Sequence, residues 1–76
     1  MQLLWRLRSP FSGQVSECHV IERSKLVYEL RIVIQGGEKS ATAFSSINEA
    51  IQMAGAVAGA LRADGWADAS EDEQPA

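Results

Sequence analysis

Two residues with reactive side chains stand next to each other in the sequence, Cys18 and His19. A thiolate beside an imidazole base would suggest a cysteine nucleophile and covalent catalysis. The flanking residues alternate between apolar and polar types, however, and neighbouring side chains on a strand point to opposite faces. We therefore expect Cys18 to be a small core residue and His19 to face solvent, and we predict no catalytic residues.

The sequence contains no motif for a metal site or for a phosphate-binding loop. One cysteine and one histidine fall short of the four ligands that a structural zinc site uses. Gly36-Gly37 is not followed by the Gly, Lys and Ser/Thr of a phosphate-binding loop, so it predicts a turn. The sequence thus predicts a protein that is not an enzyme and that binds no cofactor or metal.

The composition indicates one small folded domain. The chain has 76 residues, of which 46% are hydrophobic and 22% charged. Its single cysteine cannot form an internal disulfide, and no apolar stretch approaches the roughly 20 residues of a membrane helix. The first ten residues lack the apolar region of a signal peptide, so we expect a cytoplasmic protein that does not enter a membrane.

Charge divides the chain into two parts. Residues 1–63 have seven Lys/Arg and five Asp/Glu, a net charge of +2, whereas residues 64–76 have five acids and no base, a net charge of −5. The segment 67–76 contains no large apolar side chain that a core could bury. We therefore predict a single domain over residues 1–66 and a disordered acidic tail over residues 67–76.

Four segments before the helix alternate apolar and polar residues as β-strands do, and they cover residues 2–8, 14–22, 26–34 and 38–44. The first ends at Ser9-Pro10, and short turns join the others, which favours antiparallel neighbours. The third begins on its apolar face with Leu26. The predicted fold class is α+β: an antiparallel meander of four strands, or three if the first does not pair, with one C-terminal helix on one face (ββββα).

The register between the second and third strands depends on the length of their turn. A three-residue loop at 23–25 sets Glu17 opposite Arg31 and His19 opposite Glu29, and it keeps Cys18 on the apolar face. A two-residue loop would put Glu17 and His19 among isoleucines, because a one-residue slip exchanges the two faces of a strand. We predict the three-residue loop.

The helix has predicted signals at both ends. Ser46 and Glu49 fit a capping box, which starts the helix at Ser46. At the other end, Gly65 suits the left-handed position of a Schellman motif, in which Leu61 and Trp66 touch, so we expect Trp66 to be buried there. Residues at helical spacing form the stripe that should face the sheet: Ile47, Ala50, Ile51, Ala54, Val57, Ala58 and Leu61.

The chain resembles small bacterial proteins of uncharacterised function in which a strand meander leads to one helix that ends in Leu-x-x-x-Gly-Trp. The matching residues are Tyr28-Glu29-Leu30-Arg31 in the central strand, Ala50 and Ala54 in the helix, and Leu61, Gly65 and Trp66 at its end. The resemblance implies the same fold and a bacterial or phage origin. It implies no activity and no site residues.

Two surfaces carry the functional predictions. The helix face away from the stripe contains small residues that let another surface approach closely, so we predict a homodimer through Ala56, Gly59, Ala60 and Ala63, with the open sheet face as the second choice of interface. The protein would be an interaction module whose other partner is unknown. The alternative is single-stranded nucleic-acid binding on the open sheet face. There Arg6, Arg8 and Arg31 would contact phosphates, and Trp5 or Tyr28 would stack on bases.

Overall fold

A computed structural model of the chain describes residues 2–34 and 37–69, with only the backbone at residues 38 and 39. It contains an antiparallel sheet with one helix, which confirms the α+β class and the ββββα order. The elements are β1 (Gln2–Arg8), β2 (Val15–Ser24), β3 (Val27–Ile34), β4 (Gly37–Phe44), α1 (Ile47–Ala63) and β5 (Ala67–Asp68). The strand order across the sheet is β4-β3-β2-β1-β5. Gly37, which was predicted to form a turn with Gly36, is instead the first residue of β4, and residues 35 and 36 lie outside the described residues.

The core lies between α1 and one face of the sheet. Its buried residues are Cys18, Val20, Leu30, Ala50 and Ala54, and Trp5, Tyr28 and Phe44 are among the half-buried side chains around them. Pairing partners share a face, so Trp5, Cys18 and Ile32, which lie side by side across three strands, all point toward the helix. Alternate residues, including Arg6, Glu17 and His19, lie on the opposite face, which we call the outer sheet face.

The predicted turn and register between β2 and β3 are wrong, although the faces are right. Lys25 and Leu26 form the turn, and the strands then pair Glu17 with Val33 and His19 with Arg31. A register shift between Glu22 and Ser24 adds one residue to β2. This bulge offsets the shorter turn, so the apolar side chains still face α1. Leu26, predicted on the apolar face, is instead 73% exposed at the tip of the turn.

The Ser46 N-cap and the helix end at Gly65 lie where the sequence predicted them, but the Glu49 side chain makes no hydrogen bond back to Ser46, so the capping box is only half formed. The Ser46 hydroxyl accepts hydrogen bonds from the backbone N–H groups of Asn48 (3.1 Å) and Glu49 (3.4 Å). At the other end, the Trp66 N–H donates to the Leu61 carbonyl and the Gly65 N–H to the Arg62 carbonyl, each at 3.0 Å. These two bonds define a Schellman motif, with Gly65 at a φ of +98°. Trp66 is half-buried, less than predicted.

The contact between α1 and the sheet is narrower than the predicted stripe. Its buried residues are Ala50, Ala54 and Ala58, which recur every fourth position. Ile51 was predicted to face the sheet, but it is 48% exposed. Ile51 is rotated by about 100° from Ala50 around the helix axis, so it lies at the margin of the contact with the sheet. The helix thus lies on the sheet along a row of methyl groups.

A short strand after the helix extends the sheet. Ala67 and Asp68 form β5 and pair with Arg8 and Leu7 of β1, and the Ala69 N–H donates to the Arg6 carbonyl at 2.9 Å. The prediction that disorder begins at Ala67 is therefore wrong for residues 67–69. Backbone pairing holds them, which needs no large side chain. The rest of the predicted tail, residues 70–76, lies outside the described residues.

A side chain at Gly65 should destabilise the protein, for two reasons. Its φ of +98° is costly for other residues, and a Cβ there would lie 3.2 Å from Cγ of Pro10. We expect Gly65→Ala to lower the free energy of unfolding by about 1–2 kcal/mol. Gly55→Ala is the matched control, because it has open space and helical geometry and should raise stability by about 0.5–1 kcal/mol. Urea unfolding of both variants measures the pair, and equal stabilities would contradict this account of the helix end.

Candidate interaction surface

The adjacent residues Cys18 and His19 lie on opposite faces of β2. Cys18 is fully buried in the core, and burial raises the pKa of its thiol to about 11. The His19 imidazole lies on the outer sheet face, with Nε2 at 3.7 Å from Oε1 of Glu17. Its predicted ion-pair partner, Glu29, is instead held by two arginines. The thiol and the imidazole therefore cannot act as nucleophile and base.

The outer sheet face carries a network of ion pairs. Arg6 Nε lies 3.5 Å from Oε2 of Glu17, and Glu29 accepts hydrogen bonds from Arg23 at 3.0 Å and from Arg31. These bonds from Arg23 and Arg31 lower the pKa of Glu29, so its carboxylate stays ionised. The residues predicted to contact nucleic acid, Arg6, Arg8 and Arg31, do lie on this face. None of the three is without a partner.

The two aromatic residues considered for base stacking lie on the other side of the sheet. Trp5 and Tyr28 both pack against the core beneath α1. The indole Nε1 of Trp5 also donates a hydrogen bond of 2.9 Å to the carbonyl of Ala54, in the middle of the helix. Neither ring can stack on a base at the outer sheet face while the helix is in place.

The four residues predicted to form a dimer interface, Ala56, Gly59, Ala60 and Ala63, are all exposed along α1. We call them the small-residue face. A Cβ built at Gly59 would meet nothing within 4 Å in the protein itself. Arg62, close to this face, forms an ion pair of 2.8 Å with Asp68 of β5. The small-residue face is therefore open to another surface, and the charge of Arg62 beside it is compensated by Asp68.

An apolar groove adjoins the small-residue face at Ala56. It lies between the end of β4 and the first half of α1, has a volume of about 330 Å³, and is lined by Phe44, Glu49, Gln52, Met53 and Ala56. Met53 is 45% exposed in it. Met53 was not among the predicted surface residues, although the sequence contains one signal for it: Met53 is a large apolar residue outside the stripe predicted to face the sheet.

Other chemistry has little structural basis in the described residues. Between residues 2 and 69, apart from 35–36, no group of three or more His, Cys, Asp and Glu side chains is placed to hold a metal ion. A smaller cleft of about 200 Å³ lies between Gln2, Glu22, Tyr28 and Ile47, above Val20. It holds neither the cysteine nor the histidine. In the same part of the chain, α1 is too short and insufficiently apolar to cross a membrane.

Comparison with protein-family models, curated proteins and solved structures finds no match to this chain. The resemblance to small bacterial meander-plus-helix proteins therefore stays a prediction.

The buried thiol generates a prediction with two readouts. Native Cys18 should react with a thiol reagent at pH 8 far more slowly than the urea-unfolded chain does, because it is buried and protonated. Its raised pKa also stabilises the fold below about pH 9, and this contribution should be lost as the pH rises toward about 11. The stability difference between wild type and Cys18→Ala, measured by urea unfolding, should therefore shrink over that range. Rapid labelling of the native protein would contradict the burial.

Proposed function

We propose that this protein is a small, non-enzymatic interaction module that associates with a second copy of itself. The surface proposed for association is the small-residue face together with the apolar groove that adjoins it. We further propose that it works in the bacterial cytoplasm, where its single unpaired cysteine suits a reducing compartment.

The groove at the end of β4 is the observation that carries this proposal. Phe44 and Met53 leave apolar surface exposed there, and it continues onto Ala56 of the small-residue face. Large exposed apolar patches are typical of places where another protein docks, and the groove and the small-residue face together would form such a patch. The adjoining helix residues have no long side chain to hold that surface away.

The size of the core supports association with another copy. Eight hydrophobic residues of the described chain are buried, and three of them are alanines. A core of this kind contributes little transfer free energy, and domains of this length commonly gain stability by oligomerising. Association would also make the apparent stability rise with protein concentration.

Single-stranded nucleic-acid binding is the less favoured function. The outer sheet face supplies arginines, but these have partners within the protein, and the stacking aromatics lie under the helix.

Self-association is tested by sedimentation equilibrium from micromolar to millimolar concentration. We expect a monomer–dimer equilibrium that Gly59→Gln weakens, because a long side chain on the small-residue face obstructs close approach. Ile51→Gln is the control, since Ile51 is exposed on the other flank of α1. A protein that stays monomeric at millimolar concentration would refute the proposal.

A further inference from the structure

The strand β4 forms one edge of the sheet, and nothing in the described chain pairs with its outer side. Its residues Ser40, Ala41, Thr42 and Ala43 are all exposed. In an antiparallel edge strand, alternate backbone N–H and C=O groups point outward and can pair with a further strand.

The two edges of the sheet are protected to different degrees. At the β1 edge, β5 pairs with Leu7 and Arg8, and the Ala69 N–H bonds the Arg6 carbonyl. At the β4 edge, a register shift opposite Ile32 and Val33 leaves Lys39 as an extra residue, beside charged Glu38. Bulges and charges of this kind discourage edge pairing. Residues 40–44 have no charge, proline or bulge, so the unprotected segment is five residues long.

We propose that this segment is where a second copy docks, by adding its own β4 antiparallel to the first and joining the two sheets into one. This inference rests on the proposed self-association and adds the backbone of the β4 edge, beside the apolar groove, to the surface proposed for it. The side chains of the segment favour a second copy as the partner strand. If the pairing is centred on Ala41 or Thr42, the side chains that meet around the centre are Ser, Ala and Thr, which fit against one another without a clash.

The charges of the strand favour the same arrangement. Antiparallel pairing centred on Ala41 or Thr42 carries Glu38 and Lys39 of each copy toward the far end of the partner's strand. Like charges are therefore not set opposite each other. The groove that contains Phe44 and Met53 lies beside this edge, so the incoming copy approaches it on the helix side of the joined sheet.

Such an assembly closes at two copies. A two-fold axis uses the β4 edge of each copy, and the edges left outside are those of β1 and β5. A head-to-tail arrangement would instead pair β4 with that other edge, where β5 covers Leu7 and Arg8 and the uncovered half of β1 has a register shift between Leu3 and Trp5. The partial cover by β5 and the irregularity of β1 therefore favour a closed dimer over a filament.

Charge substitution at Thr42 tests the pairing. Thr42 is exposed and faces the helix side opposite Leu30, so a new charge there should leave the monomer folded. Thr42→Glu and Thr42→Lys should each raise the dimer dissociation constant about tenfold or more, because like charges meet across the two-fold axis. An equimolar mixture of the two should regain the mass of a dimer, whereas Thr42→Ser should behave as wild type.

Cross-linking gives a second readout that does not depend on weakening the interface. Ala41→Cys and Thr42→Cys are introduced separately, and under mild oxidation at least one should form a symmetric disulfide dimer. Gly59→Cys should cross-link more slowly. The native Cys18 does not interfere, because it is fully buried.

The outcomes separate the two proposals. A dimer that withstands both Thr42 charge variants, dissociates in Gly59→Gln and cross-links fastest through Gly59→Cys would overturn edge pairing and leave self-association intact. A wild-type protein that is monomeric at millimolar concentration would overturn both. Loss of the dimer in each charge variant, with recovery in the mixture, supports edge pairing.

Discussion

The close approach of α1 to the sheet, along Ala50, Ala54 and Ala58, is the constraint on which the rest of the structure depends. These three side chains are almost completely buried, so at each of these positions the helix contributes only a methyl group to its contact with the core side chains of the sheet. At this contact the Trp5 indole donates a hydrogen bond of 2.9 Å to the Ala54 carbonyl. A carbonyl oxygen has two lone pairs, so Ala54 can accept this bond and still take part in the helix.

The narrow contact between α1 and the sheet also determines which surfaces stay exposed near β4. Two residues separate α1 from β4, while Gly65, just beyond the end of α1, lies against Pro10, which follows β1. The helix therefore crosses the sheet from the β4 side to the β1 side. Alanines fill its contact with the sheet, so larger residues beside them, such as Met53, are left half-exposed near β4. The same packing that closes the core thus leaves both an apolar groove and an open strand on one side of the molecule.

The sequence predicted those features that local chemistry determines. The Ser46 cap and the Gly65 helix end each depend on a few neighbouring residues, and both were found as predicted. The meander followed from alternation and short turns. The predicted register of β2 against β3 was wrong because the alternation pattern does not reveal the extra residue near Arg23. The turn is also one residue shorter than predicted, so the core side chains keep their predicted face. The strand β5 was missed because it is held by backbone bonds and its sequence contains no apolar signal.

The surface proposed for association was only partly predictable, because some of its features depend on tertiary packing. The small-residue face could be located from helical spacing, and its four residues are exposed. The groove at Met53 and the unequal protection of the two sheet edges depend on where α1 crosses the sheet and where the chain goes after it. Both are tertiary facts, and no short window of sequence contains them. The arginines of the outer sheet face illustrate the converse, because the sequence places them on one face but does not show that each already has a partner.

Amide hydrogen exchange along β4 tests the central claim most directly, when it is measured at a low and at a high protein concentration. In the monomer, β3 already bonds alternate amides of β4, while the outward-pointing amides in residues 40–44 exchange freely. If a second copy pairs there, those outward amides should gain protection as concentration rises, and the amides of the β2–β3 turn should not change. Outward β4 amides that exchange equally fast at both concentrations, in a protein shown to be dimeric at the higher one, would contradict the account.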